Sequence, residues 1–251
     1  MSNHIPFIYN YCDRWCERCT MTSHCAIFVP GKKGALEETT NEKNEALWES
    51  VGDNLAKATE LIKKEIERRG IVITAEDIKK AATEQEAKTA FTDNHELNHL
   101  SAKYWTIARP ILHSIDMDKF ASKSIQEVEL GIKSTEEQQK QLNELELNLE
   151  VLHFYLFFIN AKCNRAISGL LDEDEWDEDE DSDIPNDTLG SAKIALLTTR
   201  RSISAWVEIM EHNIFSEDEI LPVLSLLQKI EAMIIHYFSK VEVYKRPGFD
   251  D

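Results

Sequence analysis

The chain reads as all-α, an up-and-down bundle of about five principal helices carrying a small N-terminal four-cysteine segment. Three observations predict this. Apolar residues recur at three- and four-residue spacing over long runs rich in Glu, Lys, Leu, Ala and Gln, the period of an amphipathic helix. Only 8 Gly and 6 Pro occur in 251 residues, too few for the tight turns of an all-β fold. Helix-start signatures precede several of the apolar runs. The division expected is a cysteine-rich segment at 1–34 and a helical domain at 35–251.

Within 1–34 the cysteines Cys12, Cys16, Cys19 and Cys25 fall in the run YCDRWCERCTMTSHC, spaced C-x3-C-x2-C-x5-C. Phe7, Tyr9, Tyr11, Trp15 and Phe28 are interleaved with them, and Pro30, Gly31 and Gly34 close the segment. Such a stretch has no core of its own and is expected to lean on the main body through its aromatics.

The first helix is expected between a capping box at Thr39-Thr40-Asn41-Glu42 and the stop Arg68-Arg69-Gly70. Trp48, Val51, Leu55, Ala58, Ile62 and Ile66 form its apolar face. A second helix starts at Thr74. Thr92-Asp93-Asn94 breaks it and restarts a helix to about Arg109, which Pro110 kinks or ends. Residues 113–133 hold one short helix. Ser134-Thr135-Glu136-Glu137 is a capping box opening the longest helix, which ends at Gly169 and spans roughly 50 Å at ~1.5 Å per residue. Its middle, LEVLHFYLFFI, is apolar nearly all round, which marks it as central. A further helix covers about Leu189 to His212, with Leu196, Ile203, Trp206 and Met210 on one face. The last follows Ser216 or Pro222 and carries Leu224, Leu227, Ile230, Ile234 and Phe238. The tail KRPGFDD is extended.

Net charge is −18, and −8 once the ten acids between Asp172 and Asp183 are set aside. Like charges at that density repel, so the loop at about 172–187 is expected to be a solvated linker, or a docking strip for a basic protein partner. An acidic field repels phosphates, and nucleic-acid binding is not expected. The most apolar run, Val151 to Ile159, is too short to cross a bilayer. The N-terminus lacks a basic stretch followed by an apolar one. The expectation is a cytoplasmic chain with no membrane partner. In that compartment clustered cysteines are metal ligands or redox thiols more often than disulfides.

Soft thiolates suit Zn²⁺ or an iron–sulfur cluster, and four this close can wrap one ion or cluster unaided. The tight successive spacing leans towards iron–sulfur. His24 could replace one thiolate, but Cys25 completes the set without it. The triad Cys12, Cys16 and Cys19 resembles the C-x3-C-x2-C motif of radical-SAM enzymes. That resemblance implies a βα barrel, which the chain lacks, and Cys25 would fill the iron position those enzymes leave open. The metal is expected to serve as a structural staple or a redox sensor, with no reaction assigned.

Two Glu-x-x-His pairs, Glu96/His99 and Glu150/His153, could each present a carboxylate and an imidazole on one helix face. With a glutamate from each of two further helices, such pairs make the di-iron site of ferritin-like bundles. A cysteine iron module on such a bundle resembles rubrerythrin-type proteins in plan, which would imply a redox enzyme with a bundle-core di-metal site. Glu60, Glu65, Glu208 and Glu211 do not face the expected seams, however. Glu96 also serves as the N3 partner of an Asp93 cap, and His99 falls away from the apolar side of its helix. His95-Glu96-Leu97-Asn98-His99 is a literal H-E-x-x-H, placed at a helix start instead of mid-helix beside a sheet. Glu150 and His153 lie in the near-continuous apolar run. A buried carboxylate there needs a cation, and Lys162, Arg165, Lys193 and Arg201 are the candidates. Cys163 is at a core position.

The segments YCDRWCERC, EVLHFYLFFINAKCNRAISG, DTLGSAKIALLTTRRSISAW and RPGFD, about a third of the chain, resemble an uncharacterised family of bacterial helical proteins with an N-terminal four-cysteine segment. The resemblance implies a bacterial cytosolic protein of this plan. It draws Glu150, Lys162, Arg165, Lys193 and Arg201 together as one polar cluster, and it implies no reaction.

Overall fold

The computed structural model describes residues 4–28, 41–171, 186–212 and 214–250, without the side chains of 41–50, 54 and 119. The first capping box, the Pro30–Gly34 closure, the side chain of Trp48 and nearly all of the acidic loop therefore lie outside the described residues. The all-α expectation holds. Among the described residues there are seven α-helices: α1 (Asn41–Arg69), α2 (Ala75–Asn94), α3 (Glu96–His113), α4 (Met117–Glu129), α5 (Thr135–Gly169), α6 (Asp187–Glu211) and α7 (Glu217–Tyr237). Three single 3-10 turns, Ile8–Asn10, Cys16–Arg18 and Thr22–His24, make up the N-terminal segment.

The chain divides into two units, one of 1–27 with 88–251 and one of 28–87. In the first, α3, α5, α6 and α7 close a four-helix ring: α5 packs on α3 and most extensively on α6, and α7 packs on both α3 and α6. Leu97, Tyr104, Leu152, Ile159, Trp206 and Ile230 fill it with no exposure. α4 lies against α5. By length and composition alone α7 could cross a membrane, but Val223, Leu227, Ile230 and Ile234 are turned fully into this core.

Helix ends follow from local chemistry. α5 opens on the expected box, with the Ser134 hydroxyl accepting from Glu137 N–H and the Glu137 carboxylate accepting from Ser134 N–H. At α7 the Glu219 carboxylate accepts from both the N–H and the hydroxyl of Ser216, so the helix begins there and Pro222 lies inside it. Gly70 (φ 64°) and Gly131 (φ 70°) end α1 and α4 in the left-handed conformation. The next residue's N–H reaches five residues back, Ile71 to Ile66 and Ile132 to Glu127.

Two expectations are corrected. α3 is capped by the His95 side chain, whose Nδ1 accepts from Leu97 N–H at 3.2 Å, and not by Asp93. It then continues through Pro110 to His113. The apolar stripe of α1 is not a core face: Val51, Leu55 and Ile62 are exposed, as are Ile71, Val72 and Ile73 in the turn that follows. The unit of 28–87 thus has no interior of its own among the described side chains. Helical period alone signals a face to be covered, not the element that covers it.

Gly190, in the first turn of α6, sits where a side chain would not fit. A Cβ built there would lie 2.3 Å and 2.4 Å from two ring carbons of Tyr11, itself 1% exposed. Gly190→Ala is expected to cost roughly 1–3 kcal/mol by overpacking. Gly52→Ala in α1, where nothing lies within 4 Å, is expected to be neutral or slightly stabilising. Urea midpoints of the two variants, read by helical circular dichroism, check the contrast.

Candidate functional site

All five cysteines are free thiols, with Cys12, Cys19 and Cys25 partly exposed, Cys16 exposed and Cys163 buried. The N-terminal segment builds two similar turns. Cys19 follows the turn at Cys16–Arg18 and Cys25 the turn at Thr22–His24, each in extended backbone. Cys19 N–H donates to Cys16 C=O at 3.2 Å, and Cys25 N–H to Thr22 C=O at 3.3 Å. Cys19 Sγ accepts the backbone N–H of Met21 at 3.4 Å, and Cys12 Sγ donates to Tyr9 C=O at 3.5 Å. Arg14 holds a left-handed backbone (φ 64°), as does Phe7 (φ 57°). Non-glycine residues accept that strain only where their surroundings over-determine it.

Cys16 lies within electrostatic range of Cys19 and Cys25. Desolvation raises its thiol, and the neighbouring Cys19, Glu17 and Cys25 charges raise it further. Cys12 is raised mainly by burial, against the pull of the Arg14 N–H and the nearby Arg14 and Lys162 charges. Sulfurs grouped this way resist joint ionisation unless a cation joins them. Among the described residues, no three His, Cys, Asp or Glu side chains converge closely enough in this structure to hold an ion. The four thiols do match the soft-donor chemistry of zinc or iron–sulfur ligation, and Cys19 and Cys25 each lie within electrostatic range of Cys16.

The residues between the cysteines dock the segment on α5 and α6. Trp15, 7% exposed, stacks on Phe154 at 4.4 Å between centroids, meets Tyr155 edge-on at 5.6 Å, and carries the Arg18 guanidinium over its ring at 4.1 Å. Asp13 accepts from Tyr155 OH and from Arg201 Nη1, both at 2.7 Å, and from Trp15 N–H at 3.1 Å. Burial, then the Asp13 carboxylate, pushes the Tyr155 phenol up to about 12. Arg18 pairs with Glu150. Lys162 Nζ donates to Asn10 C=O at 3.3 Å.

The tail docks beside it. Gly248 (φ 78°) lies so close to Ile5 and Ile8 that an added Cβ would meet their Cδ1 atoms at 2.6 Å and 3.2 Å. Arg246 forks onto Asp250 with two 2.8 Å hydrogen bonds and lies over Phe249. Lys193 donates to Glu242 C=O at 2.7 Å, and Tyr244 to Asn186 C=O at 3.4 Å.

The expected polar cluster is thus not one network. Glu150 is half exposed and paired with Arg18, not buried and paired with a neighbouring lysine or arginine. Arg165 is bound to Asp187, Arg201 to Asp13, and Lys193 to the tail backbone. The reason is periodicity: these positions fall on the α5 and α6 face that receives the N-terminal segment and the tail. His153 is exposed and lies 6.1 Å between ring centroids from His113. Burial and the His113 charge both lower its pKa. Glu96 and His99 are exposed at the start of α3. No carboxylate is buried in the bundle among the described residues. Cys163 is fully buried, its thiol pushed up to about 12 by burial. Asp13, Tyr155 and Gly190 were missed as docking residues. The alternation of polar and aromatic residues between the cysteines was the available signal.

In an Asp13→Asn, Arg201→Met double-mutant cycle, the coupling is expected to be about 1 kcal/mol, limited by the partial exposure of Arg201. Urea unfolding of the four proteins measures it. Asp250 is held at about 2 against an ordinary 3.8, chiefly by Arg246. Its contribution is full above about pH 4 and disappears as pH falls through about 2. The stability gap between the wild type and Asp250→Asn should close over that window, read as melting temperature against pH.

No protein-family model, curated protein or solved structure matches this chain.

Proposed function

We propose that Cys12, Cys16, Cys19 and Cys25 hold one zinc ion or iron–sulfur cluster, and that this centre pins the N-terminal segment to the bundle. With zinc the role is structural. With iron–sulfur the centre serves as a redox sensor. The observation that carries this is a backbone donor set on a cysteine sulfur: Met21 N–H points at Cys19 Sγ at 3.4 Å. Such bonds favour a charged sulfur and are a main lever on iron–sulfur potentials. A segment with three single 3-10 turns and two left-handed non-glycine residues also gains most from a cross-link of this kind.

The setting we assign is a bacterial cytoplasm, where reduced thiols such as these persist. Loss of the metal would loosen the N-terminal segment, and with it the seat of Gly248 on Ile5, Ile8 and Met21. The tail is therefore the element through which a change at the centre is felt elsewhere.

The test is anaerobic purification with iron, zinc and acid-labile sulfide counted alongside a visible spectrum. About one zinc per chain, or iron with matching sulfide, is expected, and it should vanish in a Cys16→Ser, Cys19→Ser variant. Chelation should also speed tryptic cleavage after Lys245, the following Arg246–Pro247 bond being resistant. Metal-free protein from anaerobic cells, or metal unchanged in the double variant, would sink the idea.

A further inference from the structure

Lys162 projects from the middle of α5 and is 7% exposed, the one charged residue among the buried ones described. A buried ammonium is costly unless an anion answers it. Among the described residues none does so directly. Its hydrogen bond goes to the neutral Asn10 carbonyl at 3.3 Å, and it lies 5.5 Å from the Phe158 ring centroid. Asp187, the carboxylate in electrostatic range, is already clamped by two hydrogen bonds from Arg165. Two further cations, Arg165 and Arg14, act on Lys162 and make matters worse. Among the described residues, the remaining group in electrostatic range with a negative charge to offer is the sulfur of Cys12, two residues along the chain from Asn10.

From this uncompensated cation we propose that Lys162 is the charge-compensating positioning residue of the four-thiolate centre, its ammonium facing the Cys12 thiolate that the bound metal creates. The inference rests on the four-cysteine reading. Four thiolates around Zn²⁺, or around an oxidised cubane cluster, leave about two negative charges at the site. Lys162 meets part of that charge inside the protein, where screening by water and salt is weak. Without metal, Cys12 is a neutral thiol and Lys162 is a burden on the fold. With metal the two become a pair. The lysine therefore destabilises the empty chain and favours the loaded one.

That opposition of signs makes the inference testable on the full chain with zinc alone as the probe. Zinc affinity is measured anaerobically against a chromophoric chelator for the wild type, Lys162→Met and Lys162→Arg. Lys162→Met keeps the stem and removes the charge, and is expected to weaken zinc binding about tenfold or more, the scale of losing an outer-shell partner. Lys162→Arg should restore much of it. In the chelated proteins Lys162→Met should melt at or above the wild-type temperature. A purely structural role through the Asn10 carbonyl would instead lower that melting temperature and leave affinity unchanged. Either result overturns the inference while leaving the four-cysteine reading intact. A wild type that takes up no zinc overturns the inference, and one that also holds no iron and sulfide when purified anaerobically overturns the four-cysteine reading itself.

Discussion

One carboxylate joins three parts of the molecule. Asp13 sits in a segment without regular structure, yet it receives the Tyr155 phenol from α5, the Arg201 guanidinium from α6 and the Trp15 N–H of its own turn. The Arg201 guanidinium also donates to the Tyr155 oxygen at 2.7 Å, so the three side chains form a closed triangle. Charge-assisted bonds in such a triangle are stronger than neutral ones and fix orientation as well as distance. The docking of Trp15 depends on it. The turn that bends Asp13 towards Tyr155 also lays the indole on Phe154 and brings Arg18 to Glu150. Left-handed Arg14 sits between Asp13 and Trp15, held on both sides by these anchors.

The same constraint explains why the middle of α5 is apolar nearly all round. One side, with Leu152, Ile159 and Cys163, fills the bundle core. Phe154 and Tyr155 meet Trp15, and Lys162 meets the Asn10 carbonyl. A helix with two sets of neighbours has little polar face left in that stretch. α6 behaves alike: Trp206 and Ile209 face the core, while Gly190 accepts the Tyr11 ring. The segment is thus a further packing element of the bundle in all but secondary structure.

Much of the architecture was legible in the sequence. Ser134 with Glu137 located the start of α5, and Gly70 the end of α1, because caps are local chemistry. The apolar stripes of α5, α6 and α7 pointed inward for the same reason that helical period works at all. What the sequence did not disclose was long-range pairing. Nothing local says that Asp13 bonds residues 142 and 188 positions away, or that Glu150 answers Arg18 across 132 positions. The His95 cap was hidden because histidine is an uncommon N-cap and Asp93 a good one. The stripe of α1 was readable as apolar, but its exposure depends on what lies opposite, which no periodicity encodes. The cysteines were legible as a group. The donor to Cys19 was not, since Met21 uses its main-chain N–H group.

Charge placement on the docking face bears on what the four thiols are for. The chain as a whole is strongly acidic, at −18, yet Arg18, Lys162, Arg165, Lys193 and Arg201 all lie where the N-terminal segment and the tail attach. Arg18, Arg165 and Arg201 each have a carboxylate at hydrogen-bonding distance. Lys193 has the Glu242 carbonyl and the nearby charge of Asp250. Lys162, the most deeply buried of the five, donates to the neutral Asn10 carbonyl and lies near the Phe158 ring, with no carboxylate bonded to it among the described residues. If the face existed only to glue two pieces of chain together, a methionine at 162 would pack as well and cost less, because buried ion pairs seldom outperform apolar replacements. A lysine there makes physical sense when the surface it covers becomes negative, and the cysteine thiols are the groups beside it that a bound metal would make so.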